Sequence, residues 1–242
     1  MSPSESAITS PSSSATVEAY ERLKELVVTN RLPPGAELRE VSLAEQIGLG
    51  RTPIRQALQR LVHEGFVEVR PRVGYRVRQL TLGSVRDLFE MRLILEPAAV
   101  QLAIERGSAD DLRNLGALAR TTYTPGDQRS YEKFLIDNRE LHVRIAQVSG
   151  NERLAGSLRN LLEEMQRLYF VSFGSQAAVG EQLHEHHDLF DAMIERDVGR
   201  ARGIVVDQIE SSREKVMAAL VDSAFGPSSG YSGSAVLLGP ER

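Results

Sequence analysis

The stretch GLGRTPIRQAL, residues 48–58, decides how the chain is organised. Gly48 closes one short helical pattern. Pro53 opens the next, because a proline in the first helical turn lacks only an N–H that has no helical partner there. Thr52 stands before it as the expected N-cap. Beyond Pro53, residues Ile54, Ala57, Leu58, Leu61 and Val62 form one apolar stripe, and Arg51, Arg55, Gln56 and Gln59 lie off it. Arg51 and Arg55 are four residues apart and share a helix face. Two cations at a helix start oppose the helix dipole. The arrangement is reasonable when that helix start meets an anion.

Working outward, SLAEQIG (42–48) pairs Ser42 with Glu45 as an expected capping box. Residues 16–30 place Val17, Tyr20, Leu23 and Val27 at helical spacing, and Pro33, Pro34 and Gly35 end that helix. Downstream, Gly65 stops the third helix. FVEVR (66–70) and YRVRQ (75–79) alternate with period two around PRVG (71–74), which predicts a β-hairpin. Its loop offers Arg70, Arg72 and Arg76, and Gly74 permits a tight turn. Three helices and a hairpin within 16–80 make a winged helix-turn-helix. Such a module presents the N-terminal residues of one helix to base edges in the major groove, and arginine's planar fork bonds guanine O6 and N7 together.

Charge is distributed to match. The chain carries a net −4, which alone argues against a nucleic-acid partner. Residues 49–80, however, hold seven arginines against Glu64 and Glu68, and residues 81–242 hold the acidic excess. A basic module joined to an acidic one fits an anionic partner for the first. There is no cysteine, so disulfides and thiolate metal sites are excluded. No apolar run reaches the eighteen or so residues of a membrane span, and the N-terminus lacks the layout of a secretion signal. A cytoplasmic location without a membrane partner is expected.

From residue 81 the patterns are helical: 84–106, 108–122, 128–149, 152–172, 178–196 and 198–221. Ser108 with Asp111 marks a start and Gly150-Asn151 a stop. The expected fold is mostly α. A Ser/Pro-rich disordered arm spans 1–15 and the winged helix-turn-helix 16–80. An all-α bundle for effector binding and dimerisation covers 81–221, and a Gly/Ser-rich flexible tail 222–242.

The run LREVSLAEQIGLGRTPIRQALQRLVHEGFVEVRPRVGYRV (38–77) resembles the DNA-binding domain of GntR-type transcription regulators. That resemblance makes Arg51, Thr52 and Arg55 DNA contacts and places Gly74 at the wing tip. Two positions depart from the pattern. Gly50 stands where Ser or Thr is common, and Val41 where some members carry a DNA-contacting arginine. Arg39, nearby, is taken as a candidate contact, as is Arg72 in the wing.

LFEMRLILEPAAVQLA (88–103), NRELHVRIAQVSGN (138–151) and EHHDLFDAMIERDVGRA (185–201) resemble the helical effector domain, of the FCD type, in the FadR branch of that family. The resemblance implies a homodimer on a pseudo-palindromic DNA operator, regulated by a small effector, often a carboxylate, and more commonly a repressor that the effector releases. Many relatives hold a metal through one Asp or Asn and three His. Carried over by position, that set is Asn138, His142, His186 and Gln208, with glutamine in place of the fourth histidine. Asn138 and His142 share a helix face, whereas Asp137 points about 100° away. Carboxamide oxygen is a weak neutral ligand for zinc or nickel. Two readings therefore stand: a degraded divalent-metal site on Asn138, His142 and His186, or a metal-free polar pocket for the effector. Arg92 is a candidate charge partner for the effector. In HEHHD (184–188) only His186 fits the pattern, and His184 and His187 are expected at the surface.

Two other functions compete. A metal-dependent hydrolase using His142, His186 and a carboxylate lacks a nucleophile pair and leaves the basic module without a purpose; H-E-x-x-H fails because Asp188 replaces the second histidine. A winged-helix protein-interaction adaptor is the other alternative. No catalytic residue is assigned.

Overall fold

The computed structural model describes residues 11–118, 124, 127–172 and 182–225. Two compact units divide the chain, Met1–Gln79 and Leu80–Arg242.

The first unit runs α1 (Pro11–Val28), β1 (Glu37–Leu38), α2 (Glu40–Ile47), α3 (Arg51–His63), β2 (Val67–Arg70) and β3 (Gly74–Val77). Helix α3 buries Ile54, Ala57, Leu58 and Leu61, largely against α1, whose Ala19, Leu23 and Val27 are fully buried. Each large aliphatic side chain buried this way stabilises the unit by about 1.5–3 kcal/mol. With that stripe fixed inward, the opposite face of α3 must point outward. The three strands form an antiparallel sheet in the order β1-β3-β2, with Val67 opposite Val77 and Arg70 opposite Gly74.

Several local expectations need correction. Helix α1 begins at Pro11, so residues 11–15 are helical and not a disordered arm; residues 1–10 lie outside those described. The N-cap of α2 is Arg39, and Ser42 sits inside the helix, so the Ser42–Glu45 capping box is not formed. The N-cap of α3 is Gly50, in extended backbone, and Thr52 and Pro53 are already helical. At α3 the reason is that the first three helical N–H groups have no helical partner, so proline is tolerated at any of these positions and does not fix the first. Strand β1 was not legible, being two residues long and paired only through β3.

The second unit is all helical: α4 (Leu82–Arg106), α5 (Ala109–Leu118), α6 (Gln128–Val148), α7 (Glu152–Ser172), α8 (Gln182–Ile194) and α9 (Val198–Phe225). Side-chain caps define its starts. Thr81 and Ser84 form a capping box at α4, Ser108 and Asp111 exchange hydrogen bonds before α5, and Asp127 caps α6. Helix α4 packs on α6, α7 and α9, and α8 packs on α9 and α5. Residues 222–225, expected in the flexible tail, belong to α9; residues 226–242 of that expected tail lie outside those described. So do 119–122 and 178–181 of the expected helices and the side chain of His184. Among the described residues no helix is long and apolar enough to cross a membrane.

Candidate functional site

The winged unit carries one candidate face. Arg51, Thr52 and Arg55 are exposed on the first turns of α3. Arg60, further along, is committed to the fold: its guanidinium stacks 3.6 Å above the Tyr20 ring and pairs with Glu64 at 3.0 Å. Arg55 donates Nε–H to Glu40 Oε1 (2.9 Å) and Nη2–H to Glu40 Oε2 (2.8 Å). Arg51 approaches the same carboxylate at 4.0 Å. The hydrogen bond from Arg55 holds the Glu40 carboxyl below its ordinary range. Arg39, at the start of α2, is exposed and lies 4.0 Å from Glu37.

In the wing, Val73 N–H bonds Arg70 C=O at 3.1 Å, and Arg72 takes φ 67° between them. Proline at the second position and a left-handed third residue give a type II turn. The left-handed residue is usually glycine, and here it is an exposed arginine at the tip. Gly74 is not at the tip: it is the first residue of β3. With φ 119°, and with Leu38 O only 3.0 Å from where a Cβ would stand, it serves the close approach of β1.

The helical unit carries the second candidate, a polar cluster inside an apolar bundle. Arg92 and Glu96 of α4, His142 of α6 and His186 of α8 are all buried. Arg92 donates Nε–H to Glu96 Oε1 at 2.5 Å and Nη1–H to Tyr169 Oη at 2.9 Å. Tyr169 Oη lies 2.9 Å from Ser212 Oγ of α9. Glu96 Oε2 stands 2.8 Å from His142 Nδ1, and the His142 and His186 rings meet edge to face at 5.8 Å. Burial alone would raise the Glu96 pKa, but Arg92 and then His142 outweigh it and hold it at about 2. On Arg92 burial alone would lower the pKa, and Glu96 and then Tyr169 reverse it, keeping the guanidinium charged. Burial, then the neighbouring His142, pushes His186 down to about 3, with Glu96 partly opposing. His186 is therefore a neutral imidazole at neutral pH. His142 presents Nδ1 to the anionic Glu96, which leaves Nε2 as the ring nitrogen not engaged with that carboxylate.

The sequence-derived set is only partly assembled. His142 and His186 come together, and Arg92 joins them through Glu96. Arg92 is not available to an effector as an unpaired cation, because Glu96 already neutralises it. Asn138 is half-buried, and no hydrogen bond links it or Gln208 to the histidines; Gln208 Nε2 is buried without a partner. His187 is exposed as expected. Glu40, Glu96, Tyr169 and Ser212 escaped the sequence reading. Only Glu96 left a signal, four residues after Arg92 on one helix. As metal ligands, two imidazoles and two amides fit poorly. Among the described residues no group of three His, Cys, Asp or Glu could hold an ion, and the nearest carboxylate, Glu96, is committed to Arg92 and His142.

Comparisons with known proteins cover both units. Residues 15–77 match the gntR family of bacterial regulatory proteins, and residues 87–211 match the FCD domain. The Nta operon transcriptional regulator of Aminobacter aminovorans is 28% identical over 192 residues, 79% of this chain and 90% of the relative. The HTH-type transcriptional repressor GlaR of Escherichia coli is 27% identical over 194 residues, 77% of this chain and 88% of the relative. Among solved structures, E. coli McbR/YncC superposes with a TM-score of 0.71 at 25% identity, covering 84% of this chain and 97% of that one. A putative GntR regulator from Rhodococcus sp. RHA1 shares the fold, with a TM-score of 0.68 at 20% identity over 85% of this chain and 99% of that one.

Proposed function

The chain belongs to the GntR family, as a DNA-binding transcription regulator with an FCD effector domain, and we propose that it is a cytoplasmic, homodimeric repressor released from its operator by a small carboxylate-bearing metabolite. Two copies of α3 present Arg51, Thr52 and Arg55 to the half-sites of a pseudo-palindrome. No side chain caps α3, so its first-turn N–H groups remain available to a phosphate. Arg72, at the wing tip, and Arg39 add backbone contacts. Met91 and Ile94, exposed one turn apart on α4, supply apolar surface for pairing. The repressor GlaR is consistent with the sign of regulation.

The observation that carries the effector reading is the charged and imidazole cluster buried in the bundle. Burying polar groups is costly unless each is paired, and Gln208 Nε2 is left without a partner. With Arg92 neutralised by Glu96, a carboxylate is met by hydrogen-bond donors: the unpartnered Nε2–H of Gln208, the N–H of neutral His186 and the Asn138 amide. His142 Nε2, the ring nitrogen not engaged with Glu96, adds a polar contact for a hydroxyl on the effector. The donor set does not suit a firmly held zinc or nickel, and no step here passes through a metal. Ligand releases DNA by binding more tightly to a pose of the DNA heads that mismatches the half-sites.

Gel shifts on an operator selected from random duplexes test this reading. Affinity must fall steeply with salt and weaken in the presence of at least one member of a panel of hydroxy and simple carboxylates. Binding indifferent to every carboxylate overturns the effector assignment. Stoichiometric zinc or nickel in the purified protein overturns the metal-free pocket, and Gln208→His should raise affinity for either ion.

A further inference from the structure

Glu40 is an anion on a face that otherwise meets an anion. As a surface ion pair it adds little to folding stability, and close to DNA phosphates its charge is repulsive. Its geometry gives it a use. Four of an arginine's five N–H bonds form two forks: Nε–H with one Nη2–H on the side, and one Nη1–H with the other Nη2–H at the end. Glu40 Oε1 and Oε2 take the side fork of Arg55 whole, at 2.9 and 2.8 Å. The end fork faces away from the carboxylate and has no partner among the described residues. One fork is what guanine O6 and N7 require.

We infer that Glu40 is a specificity-determining positioning residue. It clamps the side fork of Arg55 so that the end fork meets a guanine in one orientation, sharpening discrimination at that base pair while lowering affinity for DNA at large. The clamp has a firm base. Glu40 is the first residue of α2, where the helix dipole favours a carboxylate. Its side chain is 18% exposed against 53% for Arg55, so the acceptor is the better-packed partner. The same carboxylate lies 4.0 Å from Arg51 and so sits between both arginines of the face.

The inference rests on Arg55 reading a base, and the experiment separates the two ideas. Full-length wild type, Glu40→Gln, Arg55→Ala and the double variant are titrated against the selected operator, its single-base-pair variants and a scrambled duplex. The expected result is that Glu40→Gln loses about tenfold discrimination at the same base pair as Arg55→Ala. It should bind scrambled DNA at least as well as wild type and lose nothing more at that base pair in the Arg55→Ala background. Glu40→Gln that tightens operator and scrambled DNA equally makes Glu40 a mere competitor and overturns the clamp. Equal weakening on both, with a lowered unfolding midpoint, makes it a packing residue and does the same. Base-specific loss in Arg55→Ala but none in Glu40→Gln sinks the clamp alone. No base-specific loss in Arg55→Ala sinks the base-reading role beneath it.

Discussion

Arg55 with Glu40, and Arg92 with Glu96, are the same two functional groups in two settings. On the winged unit the arginine is half exposed, gives one fork to its carboxylate and keeps the other. In the bundle both partners are buried, and the carboxylate divides itself between Arg92 and His142. The difference lies in the surroundings. Water screens the first pair, so it contributes geometry and little stability. The second pair has no water to replace a lost partner, so each charge depends on the other. An arginine at the surface can therefore read a ligand, and one in the core is already occupied.

Deleting one carboxylate at each place is the sharpest way to break this comparison. Glu96→Ala leaves Arg92 charged and unpaired in the bundle and should cost about 3–5 kcal/mol in chemical denaturation. Arg92→Met with Glu96→Leu, which removes both charges, should cost less than either single change. Equal stability of Glu96→Ala and wild type would mean the pair is not buried. The pH dependence of stability is the next largest effect. His186 has its ordinary value of 6.5 when unfolded and about 3 when folded. The unfolded chain therefore binds more protons between those values, and stability falls as pH falls through that window. Glu96, ordinarily 4.5 and held at about 2, contributes stability that is present above 4.5 and lost as pH falls toward 2. Between pH 6.5 and 4.5 the slope from this pair of groups belongs to His186, and His186→Gln should flatten it in metal-free protein.

At the winged unit, Arg55→Ala should reduce discrimination at one half-site base pair by about tenfold to a hundredfold, with little change in unfolding midpoint. Equal losses on operator and random DNA would make it a phosphate contact only. The smallest effect is expected for Glu40→Ala on stability: its unfolding midpoint should stay close to wild type. A large drop would mean that the two pairs are alike after all.

Much of this was legible in the chain. The apolar stripe of α3, the period-two hairpin and the caps at Ser108 and Gly150 fixed the layout, because each depends on neighbours within a few residues. Errors fell where local rules are permissive, as at the starts of α2 and α3, or where the partner is distant, as with β1. The candidate sites divide in the same way. Arg51, Thr52 and Arg55 could be placed on one face by spacing alone, since a helix repeats every 3.6 residues. His142 and His186 could be paired only through resemblance.

By itself, then, the sequence determined the winged helix-turn-helix, the helical bundle that follows it along the chain and the outward arginine face, all of which follow from short-range periodicity. Tertiary structure decided the rest. It put Arg72, not Gly74, at the wing tip, gave Glu40 to Arg55, and turned Arg92 from a candidate ligand contact into a neutralised partner of Glu96. Those outcomes depend on which side chains meet across separate helices and how much water remains between them, and no spacing along one helix encodes either.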